Sequence, residues 1–245
     1  MNYFNTILIA VLLLLTGCGE KDPPVSNMQV HFTPMWGSDT LVLNKNNVGD
    51  DSKKFRFSKI KMYWSHIRFV KSDGSEVEVS PVVLVDLENP ISLQVPVSGL
   101  SGSFTGLNFG IGLDSIQNQT DPKTVAKTSP LHADNNTWWA NTGNFVFAEI
   151  EGQADTGAVM PANVFWNFLF HSGTNPLYKQ VSLTKNFSFD ASKQNVVALQ
   201  VDMKKIFYAQ PNAIDIKTEY TTSTTDNPVL AKKFIEKMIT AFEIK

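Results

Sequence analysis

Short segments with strand character recur along most of the chain, and clusters of Gly, Asn, Asp and Pro separate them. The segments cover residues 28–32, 59–70, 82–87, 91–95, 106–112, 144–150, 164–171, 178–183 and 195–201. This spacing is typical of all-β domains rather than of βαβ units. The pattern predicts an all-β fold, an antiparallel β-sandwich.

One turn sets the pairing of two of these segments. Lys71-Ser72-Asp73-Gly74 contains an Asp-Gly pair, which tolerates the positive φ angles of tight hairpin turns. We therefore expect residues 59–70 and 75–84 to pair antiparallel.

A short C-terminal helix is predicted over residues 228–242. Asn227 can cap its start, and Lys232, Lys233, Glu236 and Lys237 fill a polar face. The apolar residues of the other face recur every four positions, at Leu230, Phe234, Met238 and Phe242. We assign that stripe to core contact. A second, shorter helical turn is expected near residues 203–207.

The N-terminus predicts an exported lipoprotein. An apolar run over residues 7–15 leads into Leu15-Thr16-Gly17-Cys18, which is a lipobox. The run is too short for a transmembrane anchor, which needs roughly 20 apolar residues. Residues 1–17 are thus interpreted as a signal peptide, 18–26 as a tether that begins at the lipidated Cys18, and 27–245 as one folded domain.

Charge and cysteine content limit the kinds of partner that the protein can bind. The chain carries 21 basic and 23 acidic side chains, which gives no basic field for nucleic acid. The membrane is expected to hold the protein only through acyl chains on Cys18. The predicted location is the outer membrane, on the periplasmic or cell-surface side.

Catalytic signatures are mostly missing. The sequence has no Gly-x-Ser-x-Gly elbow, phosphate loop, Cys-x-x-Cys or His-Glu-x-x-His, and Gly110-Ile111-Gly112 lacks the third glycine of a dinucleotide site. Glu149 and Glu151 alternate on one predicted strand and could act as the acid and base of a hydrolase. A solvated strand face is the commoner interpretation. The prediction is therefore a protein that is not an enzyme.

The four histidines, His31, His66, His132 and His171, are the remaining transition-metal ligands once Cys18 carries lipid. Imidazole suits copper and zinc. Because side chains alternate along a strand, Met62, Trp64 and His66 are expected on one half-exposed face. The opposite face would bury Tyr63, Ile67 and Phe69.

Seven segments, taken in order, resemble the MbnP-like family of exported copper-binding proteins. They are Lys61-Met62-Tyr63-Trp64-Ser65-His66-Ile67, Leu84-Val85-Asp86, the run from Leu107 to Ser115 with Asn118, Ser129-Pro130-Leu131, the run from Trp138 to Gly152, the run from Phe168 to Gly173, and the run from Val201 to Phe207. The resemblance covers nearly all of the predicted domain.

The resemblance implies a β-sandwich that binds copper, as Cu(I). It also implies a site made of two histidines and a tryptophan oxidised to kynurenine, which would be Trp64, His66 and His171, with a di-haem oxidase related to MauG as the modifying partner. His132 and His31 are reserve ligands. The sequence departs from many relatives at Trp138-Trp139 and at Asn144.

Two functions are carried forward from the sequence. The first is a copper-binding or copper-delivery protein outside the cytoplasm. The second is a surface lipoprotein that binds a carbohydrate or peptide through exposed aromatic residues, since five tryptophans in a sandwich can form stacking surfaces.

Overall fold

The computed structural model describes residues 28–155 and 165–245. The predicted signal peptide and the tether with Cys18 lie outside the described residues. Neither α-helix of the described residues is long and apolar enough to cross a bilayer.

Strands dominate the described residues, as the spacing of the segments predicts. The strands are β1 (Met28–Trp36), β2 (Asp39–Thr40), β3 (Asn47–Val48), β4 (Lys54–Lys71), β5 (Glu76–Asp86), β6 (Gln94–Val97), β7 (Gly102–Ile111), β8 (Trp138–Trp139), β9 (Asn144–Asp155), β10 (Phe165–Gly173), β11 (Lys179–Phe189), β12 (Asn195–Asp202), β13 (Thr221–Thr222) and β14 (Phe242–Ile244). The helices are α1 (Met203–Tyr208) and α2 (Pro228–Ile239). Residues 91–95, expected as a strand, begin as a 3₁₀ turn over Pro90–Leu93 that leads into β6.

The strands form two sheets. The smaller has the order β14-β12-β1-β2, with β6 also paired to β1. The larger has the order β11-β7-β4-β9-β10-β13, with β3 and β5 also paired to β4 and β8 paired to β9. The pairing is mostly antiparallel. β1 with β12 and β10 with β13 are parallel, which the expectation of an antiparallel sandwich did not include.

Aromatic side chains hold the two sheets together. Phe32 on β1 meets Trp64 on β4 edge to face, with ring centroids 5.0 Å apart. Trp36, also on β1, lies 5.0 Å from Phe55 and 5.7 Å from Phe57 of β4. These rings face each other across the interior, so the predicted sandwich is confirmed.

The predicted hairpin and helix also form. Lys71 N–H donates to the Ser75 carbonyl at 2.8 Å, and Gly74 adopts a φ of +81°, which the tight turn requires. β4 and β5 then pair antiparallel. Asn227 caps α2 by accepting a hydrogen bond from Leu230 N–H at 3.1 Å.

Helix α2 is shorter than predicted. It ends at Ile239, and Phe242 instead begins β14, which pairs with β12. The side chain of Phe234 stacks on Phe170 of β10 at 5.0 Å. The apolar stripe is thus core contact, as assigned.

Two of the irregularities in β4 determine which of its side chains face outward. The register with β9 shifts between Phe57 and Lys59. The register with β7 shifts between Ser65 and Arg68, and the register with β5 shifts between Ile67 and Arg68. His66 sits in the second shift with a φ of +51°, a left-handed conformation that is uncommon for a residue other than glycine. Each bulge reverses the alternation of side chains along the strand.

Candidate metal centre

Three adjacent strands of the larger sheet bring acidic and basic side chains together. In the register, His171 of β10 lies opposite Glu149 of β9, and Glu149 lies opposite Lys61 of β4. Glu151 lies opposite Lys59. Glu149 and Glu151 are two residues apart on β9, so both side chains emerge on one face of the sheet.

The first bulge of β4 gives Lys59 its direction. Phe57 is fully buried, and regular alternation would bury Lys59 as well. Because the register shifts between them, Lys59 instead meets the carboxylates of β9. Its Nζ lies 3.2 Å from Glu149 Oε1 and 3.2 Å from Glu151 Oε1.

His171 contacts the same two oxygen atoms. Its Nε2 lies 2.9 Å from Glu151 Oε1 and 3.3 Å from Glu149 Oε1. A hydrogen bond fixes the backbone of the histidine, because Thr224 Oγ1 donates to the His171 carbonyl at 3.1 Å. The ring nitrogen and the two carboxylates form the one group of three or more convergent His, Cys, Asp or Glu ligands found within residues 28–155 and 165–245.

Burial and charge set different proton affinities for the two carboxylates. Burial raises the pKa of Glu149, and the neighbouring His171 and Lys59 oppose it only in part. Burial also acts to raise the pKa of Glu151, but hydrogen bonds from His171 and Lys59 outweigh it and hold that pKa below its usual value. Burial acts to lower the pKa of Lys59, but both carboxylates outweigh it and raise that pKa overall.

The separations fit a bound metal ion. Two ligand atoms about 2.1 Å from one ion, at roughly 90–110° to each other, lie about 3.0–3.4 Å apart. The two distances from His171 to the carboxylates, 2.9 and 3.3 Å, are close to this range, and all three ligand atoms lie within 4.8 Å of one another. Glu151, but neither Glu149 nor His171, also lines a neighbouring cleft of about 450 Å³ together with Gln153 and Asn167.

His66 lies elsewhere, between two other carboxylates. Its Nδ1 is 3.0 Å from Glu78 Oε2, and its Nε2 is 2.7 Å from Asp114 Oδ2. Burial acts to lower the pKa of His66, but these two acids outweigh it and raise that pKa. The two ring nitrogens of His66 point in different directions, and each contacts a different carboxylate. The carboxylates of Glu78 and Asp114 therefore do not converge on the same ring nitrogen.

The structure does not bring His66 and His171 together. Along β4, His66 lies five residues beyond Lys61, which is level with His171 two strands away. Ideal sheet spacings convert this to roughly 16 Å along the strand and roughly 10 Å across it. A two-histidine site needs its nitrogens roughly 4 Å apart. The arrangement that the family resemblance implies is therefore not formed in this structure.

The expected surface position of Trp64 is wrong. The bulge at His66 breaks the alternation, so Met62 and Trp64 face the core, and Ile67 and Phe69 beyond the bulge face it too. Trp64 is 0% exposed, and its ring contacts Phe109 at 5.3 Å. Its Nε1–H is buried without a hydrogen-bond partner. Tyr63 is buried, as expected.

The two reserve histidines do not join the group. His132 lies in the loop between β7 and β8, where its Nδ1 accepts a hydrogen bond from Asp134 N–H at 3.1 Å. His31 is exposed on β1 of the smaller sheet. Their roles as copper ligands stay predictions, and the structure places each of them apart from Glu149.

The sequence suggested only two interpretations of Glu149 and Glu151, as the acid and base of a hydrolase or as part of a solvent-exposed strand face. Glu149 is 8% exposed, so a solvated face is wrong for this residue. Their two-residue spacing on a predicted strand was the available signal for a paired site. Lys59 was missed, because nothing in the sequence marks the bulge that turns it toward β9.

The fold and the site define a β-rich domain with an imidazole and carboxylate group on one sheet face. The MbnP family model matches residues 25–227. The chain therefore belongs to the MbnP family, as its sequence segments predict. The structure is also similar to MbnP from Methylosinus trichosporium, with a TM-score of 0.51 and 13% sequence identity over 76% of this chain and 78% of that chain. At this identity the likeness concerns the fold alone. No curated protein matches the chain.

Proposed function

We propose that this protein binds a divalent transition-metal ion through Glu149, Glu151 and His171, and that the ion is copper. The observation that carries the proposal is the convergence of His171 Nε2 on both carboxylates at 2.9 and 3.3 Å. Copper is the metal that the family resemblance implies. It is also the first-row divalent ion that a site of nitrogen and oxygen ligands binds most tightly.

The ligand types favour Cu(II) over the Cu(I) that the resemblance implies. Soft sulfur ligands select Cu(I), whereas carboxylate oxygens are hard ligands. The one cysteine of the sequence is Cys18, which the lipobox assigns to lipid. Two carboxylates and a neutral imidazole would neutralise a divalent cation, which matches a +2 ion better than a +1 ion.

The remaining parts of the proposal rest on the sequence. The protein would act outside the cytoplasm, held to the membrane through Cys18, as a binding or delivery protein rather than an enzyme. Kynurenine formation at Trp64 by a di-haem oxidase stays a prediction, and it would require access to a ring that is buried.

The alternative of an aromatic binding surface receives less support. Trp36 is 5% and Trp64 is 0% exposed, and both pack in the core. Trp138 and Trp139 are half-buried. Trp166 is 47% exposed, so one tryptophan ring, rather than several, is open to a sugar or peptide.

Calorimetric titration of the metal-free protein tests the proposal. We expect one Cu(II) per chain, bound more tightly than Zn(II). His171→Ala and Glu149→Gln should each weaken Cu(II) binding by at least roughly tenfold, since loss of a ligand costs no less than loss of a residue that orients one. His66→Ala is the matched control and should bind as the unmodified protein does. Unchanged binding in His171→Ala would refute the assignment.

A further inference from the structure

Lys59 places a cation where a metal ion would need to bind. Its ammonium is 3.2 Å from Oε1 of Glu149 and 3.2 Å from Oε1 of Glu151, the same two oxygens that His171 contacts. These distances are longer than the roughly 2.7–2.9 Å of a strong charge-assisted hydrogen bond but well within the roughly 4 Å limit of a salt bridge. The two carboxylates thus have an internal counter-ion in the metal-free protein.

We propose that Lys59 is a built-in competitor that occupies the carboxylates in the metal-free protein and is displaced when a metal ion binds. The inference rests on the proposed function, since it concerns the same site. The inference is based on one pair of oxygen atoms, Oε1 of Glu149 and Oε1 of Glu151. Nζ of Lys59 contacts both of them, and both would be ligands of the metal ion.

Charge explains why the two cations exclude each other. A divalent ion bound to both carboxylates would leave the group neutral, and an ammonium retained beside it would make the group positive. An ammonium 3.2 Å from both oxygens would also lie within a few ångströms of the metal. Repulsion at such a distance in a half-buried site exceeds the thermal energy severalfold.

Lys59 is able to leave. Its side chain is 30% exposed, and the lysine stem has four rotatable carbons that can carry the ammonium into water. Glu149 and His171 are less exposed, at 10% and 16%, and stand on central positions of paired strands. Displacement therefore requires one side chain to rotate and no change in the sheet.

A neighbouring lysine supplies the matched control. Lys61 lies two residues further along β4, and its Nζ pairs with Asp86 of β5 at 3.1 Å. Lys61→Gln removes the same charge from the same strand but leaves the contacts of Lys59 in place. Lys59→Gln removes the competitor, and Lys59→Arg keeps its charge.

The test compares Cu(II) affinity and metal-free stability for these variants. Lys59→Gln should bind Cu(II) at least about tenfold more tightly than the unmodified protein, while Lys61→Gln and Lys59→Arg should not gain affinity. Lys59→Gln should also lower the stability of the metal-free protein, because the two carboxylates lose their counter-ion. A lysine with a purely structural role would lower stability without any gain in affinity.

The outcomes separate this inference from the proposed function. If the unmodified protein binds Cu(II) through His171 and Lys59→Gln binds no more tightly, the competitor role is wrong and the metal site stands. If neither the unmodified protein nor any folded variant binds a metal ion, the competitor role and the proposed metal site are both wrong.

A measurement on the unmodified protein covers the case in which Lys59→Gln does not fold. The side-chain ¹⁵N resonance of Lys59 should change when diamagnetic Zn(II) is added, while that of Lys61 should not. An unchanged Lys59 resonance at saturating Zn(II), with His171 resonances shifted, would overturn the inference.

Discussion

Trp64→Ala tests whether the tryptophan of the Trp-x-His motif is a core residue. The ring is fully buried and contacts Phe32, Phe109 and Phe242 at centroid distances of 5.0, 5.3 and 5.9 Å. Removing such a ring costs about 3–5 kcal/mol. Its Nε1–H has no partner, and loss of an unsatisfied buried group returns about 1–3 kcal/mol. Taking the middle of each range, we expect a net loss of about 2 kcal/mol.

The assay is urea unfolding followed by far-ultraviolet circular dichroism. A loss of about 2 kcal/mol corresponds to a decrease in Tm of roughly 4–8 °C for a domain of this size, which thermal unfolding of the same variants checks. Trp166→Ala is the control, because Trp166 is 47% exposed and its loss should change stability by no more than about 0.5 kcal/mol. If Trp64→Ala loses as little as Trp166→Ala, the ring is not part of the core.

Three further expectations concern the anchor, a pH dependence and a close backbone contact. Cys18→Ser should move the protein from the membrane fraction to a soluble exported fraction, and unchanged fractionation would contradict the lipid anchor. The raised pKa of His66 means that its ion pairs stabilise the fold fully below about pH 6.5 and that this contribution is lost as pH rises through the folded-state pKa. The stability difference between the unmodified protein and His66→Gln should thus shrink between pH 6 and pH 9 in urea titrations, and a constant difference would refute the assignment. Gly173→Ala should lower Tm, because its Cβ would lie 2.2 Å from the Phe145 carbonyl oxygen, and an unchanged Tm would show that this contact relaxes freely.

Local signals in the sequence predicted most of the fold. The Asp-Gly turn predicted the β4–β5 hairpin, and the four-residue spacing with Asn227 predicted α2. The parallel pairing of β1 with β12 could not be predicted in this way. It joins segments more than 160 residues apart, and no local pattern specifies which distant strands meet.

The candidate site was predicted only in part, for a physical reason that concerns β4. Strict alternation places Trp64 and His66 on one face, and the bulge at His66 separates them. His171 was correctly singled out as a possible ligand by residue type, but its partners depend on the register of β10 with β9. A shift of one residue would turn Glu149 away from it, and sequence alone does not determine register.

Anomalous diffraction from crystals soaked in Cu(II), with data collected on both sides of the copper edge, would locate a bound copper ion. The metal site described here predicts one strong peak about 2.0–2.2 Å from His171 Nε2 and from an oxygen of Glu149 and of Glu151. The ammonium of Lys59 should have moved away from that position. A peak beside His66 instead, or no peak near His171 at saturating copper, would refute copper binding by Glu149, Glu151 and His171.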